Sequence, residues 1–249
     1  MNNIFSIDTH VGFSSLMPDL TINLAGLMTE AVESSMMHTF TTPDLFEYYT
    51  GNGLAWVITN WHVRINRFPR TNEYIKISTW PVKFRGFLAE RGFEITDEHG
   101  KSLLNANSKW ILLDRVNLKP IRASQDIVDC YGPMSSAKID TDFTIPTADG
   151  FEPLARQDYI VQRRDMDVFG HANNVRYIEW AMEDVPEDVY YGKYKPYELK
   201  AVYKKENVTG DAVQLAPAIL RTGDEIEILT EISRDGALSA RVYTKWREV

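Results

Sequence analysis

In the stretch RRDMDVFGHANNVRYIEW, Arg163, Arg164, Asp165, Asp167, His171, Asn173 and Asn174 gather hydrogen-bonding groups just ahead of a helical pattern. Asp167 can activate a water or attack an acyl carbon itself, and His171 can hydrogen-bond the reacting group or protonate what leaves. Backbone N–H groups at a helix start can polarise a carbonyl and hold the oxyanion formed on attack. The same residues also make a good capping segment, with Asn173 or Asn174 as N-cap, Gly170 for a turn and Asp167 at the positive end of the helix dipole. One His among scattered carboxylates lacks the spacing of a zinc site, so neither a metal nor another cofactor is expected. Cys130, the only cysteine, lies in DIVDCYGPMSS with no base nearby to activate it and reads as inert.

The elements that must hold this cluster follow from apolar spacing. NNVRYIEWAMEDV puts Val175, Ile178, Ala181, Met182 and Val185 on one helical stripe that ends before Pro186. NLAGLMTEAVESSMM does the same earlier with Leu24, Leu27, Met28, Ala31, Val32 and Met36, capped by Asn23 or Thr21. Alternating segments follow each helix: LAWVITNWHVRIN, EYIKISTW, FLAERGFEITD and SLLNANSKWILLD after the first, and YELKAVYKKEN, DAVQLAPAIL, EIEILTEIS and ALSARVYTKW after the second. Hairpin turns are expected at Asp97 to Gly100 and at Arg234, Asp235 and Gly236. Gly100 precedes Trp110, and Gly236 precedes Trp246, by the same ten residues, which points to a duplication.

A long helix followed by antiparallel strands, joined by connections too short for parallel crossovers, requires a sheet curled around the helix, an α+β class. The expected division is a first unit over 1–120, a linker over 121–150 containing Pro133, Pro146 and a Ser-Ser-Ala run, and a second unit over 151–249. With 249 residues, 44% of them apolar, the chain can build a sizeable core. The formal net charge of −8 argues against general nucleic-acid binding. No apolar run is long enough to cross a bilayer, and MNNIFSIDTH has neither the basic lead nor the apolar block of a signal peptide, so a cytoplasmic location is expected.

The whole chain resembles the acyl-ACP thioesterases, double hotdog proteins whose hallmark reads approximately D-x-D-x-N-x-H-x-N-N-x-x-Y. Here that stretch runs from Asp165 through Asp167, Phe169, His171, Asn173 and Asn174 to Tyr177, and WVITNWHVRINRFPRTNEYIKISTWPVKFRGFLAERGFEITDEHGK and SKWILLDRVNLKPIR are similar too. The resemblance implies a tandem hotdog with acyl-binding surface in the first half and chemistry in the second. It carries the catalytic role onto Asp167, His171 and, from Tyr203-Lys204-Lys205-Glu206-Asn207, onto Glu206. Two positions depart from the pattern: Phe169 replaces the family's Asn, and Asn207 replaces its frequent Cys, which speaks against a thiol nucleophile.

The implied reaction is hydrolysis of an acyl-ACP thioester to free fatty acid, which ends chain elongation. Asn173, Phe169, Leu27, Met28, Val32 and Met36 are the candidate substrate-binding residues, with the methionines adaptable to a flexible chain. Acyl carrier protein is acidic, and Lys193, Lys195, Lys200, Lys204 and Lys205 offer local positive charge for docking it. An acyl-CoA thioesterase would use the same residues, and a noncatalytic acyl-binding protein is the alternative to which Phe169 lends support. A monomer or a homodimer is compatible with two fused units.

Overall fold

The two apolar stripes and the eight alternating segments appear as helices and strands in the computed structural model, which describes residues 4–132, 134 and 141–249. Chain order is β1 (Phe5–His10), α1 (Leu24–Phe40), α2 (Pro43–Gly51), β2 (Leu54–Ile65), β3 (Tyr74–Arg85), β4 (Leu88–Asp97), β5 (Ser102–Asp114), β6 (Lys119–Pro120) and α3 (Gln125–Cys130). It continues with β7 (Glu152–Pro153), β8 (Gln157–Ile160), α4 (Asn174–Glu183), α5 (Glu187–Tyr190), β9 (Tyr194–Tyr203), β10 (Ala212–Thr222), β11 (Glu225–Arg234) and β12 (Ala237–Glu248). Two compact units result, residues 1–59 with 65–141, and residues 60–64 with 142–249. Pro133 and the Ser-Ser-Ala run of the expected linker lie outside the described residues.

In the first unit the strands run in the order β1, β3, β4, β5, β2 and are antiparallel where β1, β3, β4 and β5 meet, with α1 against β3 and β1. Asn23 caps α1, its Oδ1 accepting from the Gly26 N–H at 2.7 Å. The buried face of α1 starts as expected with Leu24, Leu27, Met28 and Ala31, but continues through Ser34, Ser35, His38 and Thr39, while Met36 and Met37 are exposed. A second cluster joins Leu45 and Tyr49 of α2 to Leu54, Leu112, Ile127 of α3 and Tyr131. In the second unit the order is β9, β12, β11, β10, with the short β7 and β8 on β10, and α4 rests on β12 and β10. Residues 60–64 pair antiparallel with β9, from Asn60 opposite Val202 to Arg64 opposite Glu198. This is the α+β hotdog arrangement, a helix laid on an antiparallel sheet, built twice.

The repetition extends to side chains. Trp110 Nε1 donates to Ser108 Oγ at 2.6 Å, and Trp246 Nε1 to Thr244 Oγ1 at 2.8 Å, so each last strand buries an indole whose one donor is satisfied two residues back. Trp80 needs a different accommodation: its ring lies over Gly92, where an added Cβ would sit 2.6 Å from Cε2. Gly92→Ala must therefore shift a ring that is itself 4% exposed. We expect a loss of about 1–3 kcal/mol, read as a lower Tm in thermal unfolding. Gly51→Ala, with no atom within 4 Å of the new Cβ, is the control. Equal melting of the two variants would show that the Trp80 ring does not depend on the bare backbone at Gly92.

Candidate active site

Asp167 and His171 share one loop in front of α4, and Glu206 reaches the His171 imidazole there. Met166 and Ala172 form an isolated antiparallel bridge, and the loop between them closes through Asp167 N–H to the His171 carbonyl at 2.8 Å and Gly170 N–H to the Asp167 carbonyl at 3.1 Å. Gly170 turns the chain at φ 82°, a left-handed conformation that suits glycine. The Asp167 carboxylate works inside the loop, Oδ1 accepting from the N–H groups of Phe169 at 2.8 Å and His171 at 3.2 Å. The chain then enters α4, whose N-cap Asn173 accepts from Val175 N–H at 2.9 Å. Both readings of Asn173 began from this position; its side-chain oxygen is the cap.

Glu206 arrives from beyond the end of β9, and its Oε2 lies 3.3 Å from His171 Nε2. Both side chains are open to water, at 34% exposure for His171 and 43% for Glu206. The adjacent Asn207 fixes this approach. It is fully buried, its carbonyl accepts from Ala172 N–H at 2.8 Å, its own N–H and Nδ2 donate to the Tyr177 hydroxyl, and Ser239 Oγ donates to its Oδ1. Burial pushes the Tyr177 phenol up to about 12, so it stays protonated and serves as a neutral acceptor. The residue replacing the family's cysteine is thus the joint between the loop bearing His171 and the segment bearing Glu206. Asn174 is held likewise, Oδ1 by Trp61 Nε1 at 3.3 Å and its carbonyl by the Tyr203 hydroxyl at 2.9 Å. Behind the loop, the buried Asp165 accepts from Tyr159 OH and Gln162 N–H, both at 2.7 Å, and receives Asn173 N–H on its carbonyl.

The first unit contains the same loop with different side chains. Its bridge is Leu16 with Ile22, and Met17 N–H donates to Thr21 O, Leu20 N–H to Met17 O and Asn23 N–H to Ser15 O, matching the second loop position by position at an offset of 150 (17 and 167, 21 and 171, 23 and 173). Leu20 takes the turn of Gly170, at φ 64°. Met17 and Thr21 stand where the second copy has Asp167 and His171, and the amide of Thr21 is capped instead by Asp19 Oδ1 at 3.0 Å. The loop therefore folds without a carboxylate at the Asp167 position. There the capping carboxylate comes from Asp19, the counterpart of Phe169, so the loop needs a cap but not one at the Asp167 position.

The other expected residues are dispersed. Leu27 and Met28 are fully buried in the first unit, Val32 is half-buried and Met36 exposed, while Phe169 is half-buried within the loop of Asp167 and His171. Lys204 and Lys205 are exposed beside Glu206, and their N–H groups both reach the Ser239 carbonyl. Lys193 is exposed and pairs with Glu248 at 2.6 Å, and Lys195 lies on β9 opposite Arg247. Lys200 is not a docking group: it is 7% exposed and bonded to Asp142 Oδ2 at 2.7 Å and the Thr144 carbonyl. Cys130 is exposed at the end of α3. Among the described residues no cluster of three His, Cys, Asp or Glu side chains is placed to hold a metal, and no helix is long and apolar enough to cross a membrane.

Two family models match, that of the acyl-ACP thioesterase N-terminal domain over residues 10–131 and that of the acyl-ACP thioesterase C-terminal domain over 151–248. A chloroplastic acyl-[acyl-carrier-protein] hydrolase of Cuphea viscosissima is 23% identical over 92% of this chain and 59% of its own length. A chloroplastic palmitoyl-acyl carrier protein thioesterase of Cuphea hookeriana is 25% identical over 83% of this chain and 51% of its own. The chain thus spans little more than half the length of these relatives. In structure it is similar to the 12:0-ACP thioesterase from Umbellularia californica, with a TM-score of 0.84 at 16% identity over 99% of this chain and 95% of that one. An acyl-ACP thioesterase from Bacteroides thetaiotaomicron gives 0.80 at 17% identity over 98% of each chain. At such identities the structural likeness speaks for the fold.

The two roles of Asp167 separate by substitution. In Asp167→Asn the amide oxygen still accepts from Phe169 and His171, so thermal unfolding should match wild type while kcat/KM for a thioester falls about a hundredfold or more. Asn207→Ala should lower both, stability by about 1–3 kcal/mol for the buried partners left unsatisfied. Undiminished turnover in Asp167→Asn would reduce Asp167 to a loop cap.

Proposed function

The chain belongs to the acyl-ACP thioesterase family, and from that premise we propose that it hydrolyses the thioester between a fatty acyl group and acyl carrier protein, releasing the free acid. The observation that carries this reading is the approach of Glu206 to His171 on a loop that also holds Asp167, when the duplicate loop has Met17 and Thr21 at the positions of Asp167 and His171. Asp167 and Glu206 are the two groups able to take a proton from water or to attack the acyl carbon. The new C–O bond forms at the carbonyl carbon, the C–S bond breaks, and the thiolate of the carrier's phosphopantetheine arm takes a proton from His171. The first-turn amide of Val175 is already bonded to Asn173, so that N–H is not a free oxyanion donor.

Phe169 stands where the family's hallmark has an amide, and its backbone N–H is tied to Asp167. Water is then oriented by the two carboxylates and the imidazole alone, and the chemical step is slower than the full pattern would allow. Docking of the acidic carrier is assigned to Lys204 and Lys205, the exposed cations nearest Glu206 in the chain. Lys193, paired with Glu248, contributes less.

Hydrolysis of acyl-ACP and acyl-CoA of equal chain length tests the substrate. We expect higher kcat/KM on acyl-ACP, and in the Lys204→Glu/Lys205→Glu double variant a KM raised about tenfold for acyl-ACP, with a weaker salt dependence and little change for acyl-CoA. Preference for acyl-CoA, or equal losses on both substrates, would overturn carrier docking. Binding of acyl-ACP with no hydrolysis would make the protein an acyl-binding member of its family.

A further inference from the structure

The interior of the first unit carries a charge that its fold does not require. Strands β4 and β11 are equivalent: buried and exposed residues follow in the same order from Leu88 and from Glu225, and each has a register shift after its eighth residue, Ile95 and Ile232. The fourth residue is Arg91 in one and Ile228 in the other, at 8% and 1% exposure. The duplicated scaffold is satisfied by an isoleucine at this position.

Among the described residues, the partners of Arg91 are neutral. Nη1 donates to His38 Nδ1 at 3.1 Å and to Thr79 Oγ1 at 3.2 Å, and the guanidinium carbon lies 5.5 Å from the centre of the Tyr131 ring. Burial, and then the charge of Arg91, hold the His38 imidazole down at about 4, so it is an uncharged acceptor, clamped between the stacked Phe5 ring and the edge of Tyr131. The Tyr131 hydroxyl lies 3.4 Å from both Tyr49 OH and Thr39 Oγ1. Among the described residues no Asp or Glu pairs with Arg91. A guanidinium does not deprotonate, and a buried cation facing only neutral groups is costly.

We propose that the first unit binds the carboxylate of an aliphatic acid, with Arg91 as its charge partner and the Tyr49 and Tyr131 hydroxyls beside it. A guanidinium presents a planar fork of N–H donors that a carboxylate matches with two bonds, and the bonds to His38 and Thr79 both come from Nη1. The buried face of α1 has the polarity such a ligand needs: Leu27, Met28 and Ala31 are apolar, and about 10 Å further along the axis the face becomes Ser34, Ser35, His38 and Thr39. The carboxylate has two sources, a free fatty acid, which is the product of the reaction proposed above, or the far end of an acyl chain that carries a second carboxyl group.

Calorimetric titration of the full chain with octanoate, decanoate and dodecanoate, against the alcohols of the same lengths, reads the site without any turnover. We expect the acids to bind at least tenfold more tightly than the alcohols. That preference should disappear in Arg91→Ile, which installs what the equivalent position already accommodates, and survive in part in Arg91→Lys. Equal binding of acid and alcohol by the wild-type chain, or a preference unchanged in Arg91→Ile, would overturn the proposal; the wild-type comparison stands even if a variant fails to fold. Kinetics then assign the source. Inhibition of thioester hydrolysis by free acid that Arg91→Ile relieves identifies the product, whereas faster hydrolysis of ω-carboxyacyl than of methyl-ended thioesters, lost in Arg91→Ile, identifies the chain end. An inactive chain that still prefers acids would defeat the thioesterase reading and leave the site intact.

Discussion

The hydrogen bond from Ala172 N–H to the Asn207 carbonyl is the constraint on which the site depends. It ties the loop carrying Asp167 and His171 to the segment carrying Glu206, two stretches that share no strand or helix. One residue before it on each side lie His171 and Glu206, so a single backbone contact sets the approach of imidazole to carboxylate. Asn207 can hold this geometry because its remaining groups are engaged by Tyr177 and Ser239, in a fully buried position where unmade bonds would be expensive. Rigid support from α4 and β12 is thereby passed to side chains that are themselves open to water.

Duplication makes the division of labour visible. The first loop repeats the backbone bonding of the second, including the tie to a distant strand end, where Ile22 N–H meets the Pro69 carbonyl. What differs is chemistry: Met17 and Thr21 against Asp167 and His171. The interiors diverge in the opposite sense, with Ile228 ordinary in the second unit and Arg91 charged in the first. Once a fold is stable in both copies, each copy can vary its side chains independently, and a position where one copy breaks the local pattern is where a functional role is to be sought.

The sequence made the main elements legible because one-sided burial imposes a period on helices and strands alike. It showed less where burial is not periodic. α2 and α3 are short, and although Pro43 and Ser124 are good starting residues, six to nine positions give too little pattern to separate a helix from a loop. Apolar spacing runs the stripe of α1 through Val32 and Met36, because its real continuation, Ser34, Ser35 and His38, looks like a solvent face until Arg91 and Tyr131 meet it. Lys200 looked like one more surface cation, since Asp142 is 58 residues away. Asp167 and His171 stood out by local density. Glu206 did not, being a strand-end charge recognisable only through the family, and the role of Asn207 rests on partners 30 and 32 residues distant.

The central claim is that His171 and Glu206 act as one unit, and a double-mutant cycle on kcat/KM for acyl-ACP measures this directly. With His171→Ala, Glu206→Gln and the double variant compared at equal foldedness, the losses should be strongly non-additive, the double variant being little worse than the more damaged single one. Losses that multiply, as for independent sites, would contradict the account and leave the 3.3 Å approach a surface ion pair without catalytic consequence.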